Sequence, residues 1–290
     1  MRNKTIHLTC ANLSDFCTFR IGGFAKDLYI VYDEQSLYDV CLDCYTHNIK
    51  FKVIGMGANL LFDDLGYNGT IIVNKSNEIE FYENSLVASA GANLTKLIQR
   101  CYLRGLGGFE RLAGIPSTLG GALVNNAGAF LCEISDCVES VDCIDIEANF
   151  KPISLTKKDC EFAYRDSVFK RKKLIITRAK LNLKEKDKEV IKNEIETSIL
   201  QKRLSQPLYF PSAGSVFKRG EYAPSKLIDE LGLKGLSVGG AQVSTKHAGF
   251  IINTNNATSA DVKSLVKKIE HLVTSRLGVT LEREIEYVEF

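Results

Sequence analysis

Residues 114–129, Gly114-Ile115-Pro116-Ser117-Thr118-Leu119-Gly120-Gly121-Ala122-Leu123-Val124-Asn125-Asn126-Ala127-Gly128-Ala129, crowd glycine, small side chains and paired asparagines into one loop-forming run. Such a run lets something approach the backbone. Without Cβ atoms the chain reaches φ > 0 and turns its N–H groups inward as a concave nest, which suits the oxygens of a pyrophosphate. A shorter run of the same kind, Gly55-Met56-Gly57-Ala58-Asn59-Leu60-Leu61, follows the strand-like Phe51-Lys52-Val53-Ile54. Either run alone reads as tight turns and close strand contacts. Two cradles in one chain point to one dinucleotide.

Neither run is a common nucleotide motif. A P-loop needs Lys-Ser/Thr closing the glycine segment so that an ammonium reaches the terminal phosphates, and no lysine follows Gly120-Gly121. Gly55-x-Gly57 fails as a Rossmann fingerprint, because Leu60 stands where the third glycine belongs and Phe62-Asp63-Asp64-Leu65-Gly66-Tyr67-Asn68-Gly69 is turn chemistry.

At 290 residues the chain suffices for two units with cores of their own, and 45% hydrophobic residues is an ordinary globular fraction. With 37 basic against 35 acidic residues there is no broad positive surplus, so nucleic acid is not an expected partner. The basic run Lys170-Arg171-Lys172-Lys173 reads as a solvated turn before strand-like residues 174–177. No apolar stretch approaches the roughly 20 residues that span a bilayer, and Met1-Arg2-Asn3-Lys4-Thr5-Ile6-His7 leads into no signal-peptide apolar region. A cytoplasmic protein with no membrane partner is expected. The nine cysteines are odd in number and scattered through apolar patterns, as reduced core thiols are. Cys41 and Cys44 share the stripe Leu37, Val40, Cys41, Cys44, Tyr45, so their spacing reads as the buried face of a helix, and no metal site is expected.

Helical and strand periodicities alternate in the first half. Residues 28–31, 51–54, 70–73 and 86–90 are strand-like, whereas 37–45 and the stripe Leu94, Leu97, Ile98, Cys101, Tyr102 are helical. Residues 138–146 and 174–183 read as further strands. Composition changes at Lys184-Glu185-Lys186-Asp187-Lys188-Glu189, the expected domain boundary, and a helix through Ile191, Ile195, Ile199 and Leu204 follows. Then come residues 226–231, the apolar Phe250-Ile251-Ile252, a helical stripe Val262, Leu265, Val266, Ile269, Leu272, Val273 and a terminal strand through 285–290. The class is α+β, with domains at 1–188 (core about 16–183) and 189–290.

More local clusters stand beside the glycine runs: Thr18-Phe19-Arg20-Ile21-Gly22-Gly23, Tyr164-Arg165-Asp166-Ser167, Pro211-Ser212-Ala213-Gly214-Ser215-Val216-Phe217-Lys218, Val238-Gly239-Gly240-Ala241-Gln242-Val243-Ser244-Thr245-Lys246-His247-Ala248-Gly249-Phe250-Ile251-Ile252-Asn253, and Leu281-Glu282-Arg283-Glu284. In this order, from about Phe16 to Glu289, the set resembles the UDP-N-acetylenolpyruvoylglucosamine reductase family. The resemblance implies an FAD-binding unit of the vanillyl-alcohol-oxidase (PCMH) type, built as two α/β subdomains, and a C-terminal α+β substrate domain whose last strand carries Glu284. It implies FAD and NADPH as cofactors and UDP-N-acetylglucosamine-enolpyruvate as substrate. A monomeric cytoplasmic enzyme of peptidoglycan precursor synthesis, serving cell shape and division, is expected. The short interval between Arg165 and Ser215 is that of the form lacking an extra tyrosine-bearing loop.

Matched position by position, the resemblance implies that Gly55, Gly57, Ala58, Asn59, Leu60, Gly114, Ile115, Pro116, Ser117, Gly120, Gly121, Asn125 and Gly128 contact FAD. It implies that Tyr164, Lys218, Gln242 and His247 contact substrate, that Ser215 donates a proton, and that Arg165 and Glu284 flank the enolpyruvyl carboxylate. These residue types suit those roles. A serine hydroxyl is a weak acid, yet a carbanion or enol takes its proton if dipoles or cations hold the alkoxide. The arginine fork gives a carboxylate two donors and stays charged. Glu284 would act in its protonated form. Arg283 stands where proline is common in the family, which leaves Glu282 and Glu284 both open; Glu284, next to the terminal strand, is preferred. Arg219-Gly220 stands where many members have asparagine or proline after the lysine.

A Ser215–His247 hydrolase is disfavoured, because Ala213-Gly214-Ser215-Val216-Phe217 is not the Gly-x-Ser-x-Gly elbow and a hydrolase leaves both glycine runs unused. The nearer alternatives are an FAD oxidase or dehydrogenase of the same fold and a non-catalytic flavin or nucleotide-sugar binder. The set Arg165, Ser215, Glu284 favours catalysis, since a binder needs no proton donor.

Overall fold

A computed structural model describes residues 5–290. Residues 1–4, which belong to the start read above as lacking a signal-peptide region, lie outside them. Helices begin where the sequence offers a side-chain cap. Asp33 accepts from the Ser36 N–H at 2.7 Å and opens Glu34–Thr46, and Asn93 accepts from the Lys96 N–H at 3.0 Å and opens Leu94–Tyr102. Thr258 and Asp261 form a reciprocal capping box at the start of Ser259–Leu277, which stops at Gly278 with φ 69°.

Two compact units are each assembled from several stretches of chain. The first takes residues through Leu8, Asp27–Met56 and Gly69–Gln201; the second takes Thr9–Lys26, Gly57–Asn68 and Lys202–Phe290. In the first, an antiparallel sheet runs in the order Lys151–Thr156, Val138–Asp145, Leu174–Asn182, Ser85–Ser89, Ile79–Tyr82. Leu94, Leu97 and Ile98 of one helix and Leu119, Ala122 and Leu123 of another are buried with Leu86, Val141, Ala179 and Leu181 of that sheet. A second core joins Leu37 and Cys41 of Glu34–Thr46 to Val31, Ile72, Ile144, Phe150 and Ile175. Each buried Leu, Ile, Val or Phe side chain here contributes about 1.5–3 kcal/mol. Cys41 and Cys44 are core residues, and burial pushes both thiols up.

The charged run at 184–189 is fastened to this unit. Lys184–Glu185 pairs with Leu106–Gly107, and Lys186 Nζ reaches Glu110 Oε1 and Glu194 Oε2, each at 2.5 Å. The helix Lys188–Ser205 continues beyond it, and the two units divide within that helix, between Gln201 and Lys202. Ile191 is buried, but Leu204, expected on the same stripe, is 69% exposed.

The second unit has an antiparallel sheet in the order Ser212–Ser215, Phe250–Asn253, Ala241–Val243, Ser237–Val238. Helix Ser259–Leu277 buries Val262, Leu265, Val266 and Ile269 against this unit. Leu60–Phe62 pairs in parallel with the terminal strand, which is Glu286–Val288 and so shorter than the apolar pattern of 285–290. The whole is an α+β protein. Among the described residues no helix is long and apolar enough to cross a membrane.

Candidate active site

Within the first unit the two glycine runs meet. A Cβ on Gly55 would fall inside the contact distance of Thr118 Oγ1 and 3.0 Å from its Cγ2, so only glycine lets the end of strand Phe51–Ile54 touch this threonine. Next to it, Asn93 Nδ2 lies 3.7 Å from Met56 Sδ. Thr118 caps the short helix Leu119–Val124, accepting from the Gly121 N–H at 3.3 Å, and Ser117 Oγ donates to Thr118 O at 2.8 Å. Gly114 has φ 82° and Ile115 N–H closes a turn on Leu112 O at 3.1 Å ahead of Pro116. These residues are small and uncharged, so they bring no carboxylate that would repel a phosphate.

Two details differ from the sequence reading. The run is not a continuous loop, because Thr118 supplies the cap that turns residues 119–124 helical. Gly120 and Gly121 form no nest: the Gly120 N–H donates to Ala90 O at 2.7 Å, the Gly121 N–H goes to Thr118, and neither has positive φ. Their absent side chains serve close packing instead, since a Cβ on Gly120 would lie 3.0 Å from Ala90 Cβ.

The far end of the run holds Arg165. Ala163 and Asp166 exchange backbone hydrogen bonds at 3.0 and 3.1 Å around a two-residue turn, Tyr164-Arg165, and Arg165 sits at φ 53°, a conformation costing a non-glycine residue about 1 kcal/mol or more. Its Nη2 donates to Gly128 O at 2.7 Å and its Nη1 to Asn126 O at 3.4 Å. Gly128 permits that approach, because a Cβ there would be 3.1 Å from Nη1. The buried Asn126 donates to Ala163 O at 3.0 Å, and Ser167 Oγ donates to Val124 O at 2.7 Å. Tyr164 is exposed, with the Arg165 guanidinium 5.0 Å from its ring centroid. Asp166 pairs with Arg171, which also holds Glu161.

In the second unit, Ser215–Lys218 runs antiparallel to Glu282–Glu284. The Lys218 N–H donates to Glu282 O and the Glu284 N–H to Val216 O, both at 2.8 Å, about the bridge between Phe217 and Arg283. Ser215 ends a strand with a register shift between Ser212 and Ser215, where Gly214 at φ 79° makes the kink that re-aims the chain. Asn59, from the first glycine run, clasps the other side of Glu284: its Nδ2 donates to Glu284 O at 3.1 Å and its carbonyl accepts from the Glu286 N–H at 2.9 Å. Gly57 (φ 61°) precedes it, packed so that a Cβ would lie 2.5 Å from Phe16 O, and Ala58 leads into Leu60 of the parallel pair. The two glutamates are now distinct. Glu282 is exposed and ion-paired to Lys218 Nζ at 2.6 Å, whereas Glu284 is half-buried.

Other residues expected on the substrate engage the protein. Gln242 Nε2 donates to Ser237 Oγ at 3.0 Å and Gly235 O at 3.3 Å. His247 Nδ1 accepts from the Gly249 N–H at 3.1 Å, the ring packs edge-on to Phe250, and burial holds its pKa down, favouring the neutral ring. Supports that the sequence reading missed include Thr18, whose Oγ1 donates to Ser212 O at 2.7 Å, and Asn253, whose Nδ2 donates to Phe19 O at 3.3 Å and whose backbone N–H donates to Pro211 O at 2.9 Å. Both lie in quoted motifs, but their work is to hold backbone, which no residue spacing displays. Among the described residues no group of three His, Cys, Asp or Glu side chains could hold a metal.

A family model described as the C-terminal domain of UDP-N-acetylenolpyruvoylglucosamine reductase matches residues 206–288, and an FAD binding domain model matches residues 28–149. A UDP-N-acetylenolpyruvoylglucosamine reductase of Caldanaerobacter subterraneus is 40% identical over 93% of this chain and 90% of that protein. One of Lachnoclostridium phytofermentans is 38% identical over 98% and 94%. The crystal structure of the Thermus caldophilus enzyme superposes with a TM-score of 0.82 at 33% identity, covering 98% of each chain. Cholesterol oxidase from Brevibacterium sterolicum is similar in fold, at a TM-score of 0.50 and 14% identity over 64% of this chain and 39% of that one. With a likeness that spans nearly the whole chain and includes both the glycine runs and the serine and glutamate motifs, this protein belongs to the UDP-N-acetylenolpyruvoylglucosamine reductase family.

Proposed function

We propose that this chain reduces the enolpyruvyl ether of UDP-N-acetylglucosamine-enolpyruvate to UDP-N-acetylmuramate with electrons from NADPH, as a cytoplasmic monomer supplying peptidoglycan synthesis and so cell shape and division. Residues 1–188 are proposed as the FAD-binding domain and 189–290 as the substrate-binding domain. The observation that carries the reading is the meeting of Asn59, Glu284 and the Ser215–Lys218 stretch on adjoining backbones, which puts a cradle residue, a carboxyl and a hydroxyl into one part of the second unit. Bound FAD would supply a two-electron carrier that accepts hydride from NADPH and delivers it to the terminal carbon of the enolpyruvyl group.

The chain's own residues then manage charge and proton. The Arg165 fork, its backbone held in a strained turn, pairs the enolpyruvyl carboxylate and stays charged as negative charge spreads onto it. Glu284 polarises the same end of the substrate. Ser215, aimed by the kink at Gly214, gives its proton to the carbon bonded to the ether oxygen, and solvent returns one to the alkoxide. Gly55, Gly57, Ala58, Asn59, Leu60, Gly114, Ile115, Pro116, Ser117, Gly120, Gly121, Asn125 and Gly128 are proposed to shape the FAD site, with Gly120 and Gly121 acting through packing. Tyr164, Lys218, Gln242 and His247 are proposed substrate contacts. Incubation with NADPH and the enolpyruvyl sugar should yield a product heavier by two hydrogens. NADPH oxidation that is indifferent to the sugar would favour an oxidase of the same fold.

A further inference from the structure

We propose that Lys170 is a positioning residue for Arg165, its ammonium tying the Arg165 carbonyl to the Asn125 side chain and thereby fixing where the guanidinium points. The inference rests on the reading of Arg165 as the carboxylate-binding group. Lys170 belongs to the basic run that the sequence presents as a solvated turn, yet the run divides. Lys170 Nζ donates to Asn125 Oδ1 at 2.5 Å and to Arg165 O at 2.8 Å, whereas Arg171 turns to Asp166 and Glu161, and Lys173 approaches Glu147 at 3.9 Å.

The geometry gives this contact a purpose. Arg165 sits at φ 53° in a two-residue turn closed by the backbone bonds of Ala163 and Asp166, and its carbonyl accepts from Lys170 Nζ. A left-handed arginine persists only when its surroundings over-determine it. Lys170 supplies one such constraint from the one-turn helix Val168–Arg171, whose preceding residue Ser167 is itself bonded to Val124 O. A lysine suits the task because its compact ammonium presents several donors to oxygens on different segments. Asn125 and Gly128 belong to the same glycine run, so the run receives Arg165 twice: through Gly128 O at the guanidinium and through Asn125 and Lys170 at the backbone.

The test uses FAD-loaded full chain and compares Lys170→Met, Lys170→Arg, Arg165→Ala and the Arg165→Ala/Lys170→Met pair. Lys170→Met should keep its flavin and its rate of reduction by NADPH within about twofold. Its flavin reoxidation by UDP-N-acetylglucosamine-enolpyruvate should fall roughly 5- to 30-fold, the range for losing two charge-assisted bonds on an exposed side chain. Lys170→Arg should lose less. In the Arg165→Ala background the lysine change should cost under about twofold, because the group it positions is gone. Lys170→Gln carries the same comparison if the methionine variant does not fold. Reoxidation of Lys170→Met at the wild-type rate, an undiminished cost in the Arg165→Ala background, or loss of flavin from Lys170→Met overturns the inference. A wild-type flavin that the enolpyruvyl sugar does not reoxidise overturns the functional reading and this inference with it.

Discussion

Replacing Gly55 by alanine tests whether the two glycine runs form one cradle. The added methyl would sit inside contact distance of Thr118 Oγ1, 3.0 Å from Cγ2 and 3.2 Å from Cβ, so Thr118 or strand Phe51–Ile54 must shift. Overpacking of this kind costs about 1–3 kcal/mol. At about 2–4 °C per kcal/mol for a unit of this size, the melting temperature should drop by roughly 2–12 °C. Displacing Thr118 also disturbs the cap on Leu119–Val124, so FAD affinity should weaken by about tenfold or more. Thr118→Ala alone loses that cap, about 1 kcal/mol, but removes the two atoms that clash most. The pair Gly55→Ala/Thr118→Ala should therefore be less destabilised than the sum of the singles by about 1 kcal/mol. Chemical denaturation and flavin titration of the four proteins decide it. Strictly additive losses, or a Gly55→Ala protein with wild-type FAD affinity, would refute the argument that the runs touch at the cofactor site.

Ser215→Ala should leave reduction of the flavin by NADPH intact and slow its reoxidation by the enolpyruvyl sugar by on the order of 10²–10⁴, measured by stopped flow; an unchanged second step would mean that the proton comes from elsewhere. Glu284→Gln should depress turnover with little change in substrate affinity, whereas Glu282→Gln, which breaks only the exposed pair with Lys218, should be nearly silent, and the reverse pattern would put the working carboxyl on the wrong residue. Burial lowers the His247 pKa below 6.5, so the unfolded chain binds its proton first as pH falls; the stability from the neutral ring is whole above about 6.5 and is lost between there and the folded pKa. His247→Gln should flatten that part of the stability curve, and a curve of unchanged slope in denaturant titrations would contradict the assignment.

The elements with strong periodicity were legible because burial imposes the pattern. The stripe at Leu94, Leu97, Ile98, Cys101 became the buried face of Leu94–Tyr102, and Cys41 and Cys44 became core. Short strands such as Leu60–Phe62 and Ser212–Ser215 were not legible, since three or four residues offer too little alternation and their partners are distant in sequence. The glycines were found, but the packing of Gly120 on Ala90 was not legible, because a glycine that admits a ligand and one that admits a neighbouring side chain look alike in sequence. Glu284 was preferred to Glu282 for its place before the terminal strand, but the pairing of Glu282 with Lys218 is a contact that sequence spacing does not display. Lys170 was hidden among its charged neighbours, because a basic run does not disclose which ammonium turns toward a carbonyl.

The most direct test of the account is an anaerobic absorption spectrum of the purified protein, followed by stoichiometric NADPH and then by UDP-N-acetylglucosamine-enolpyruvate. The account predicts a flavin spectrum that bleaches with NADPH and returns when the enolpyruvyl sugar is added, with UDP-N-acetylmuramate formed in equal amount. A protein that carries no flavin, or one whose bleached flavin stays reduced in the presence of the sugar until oxygen is admitted, would contradict it.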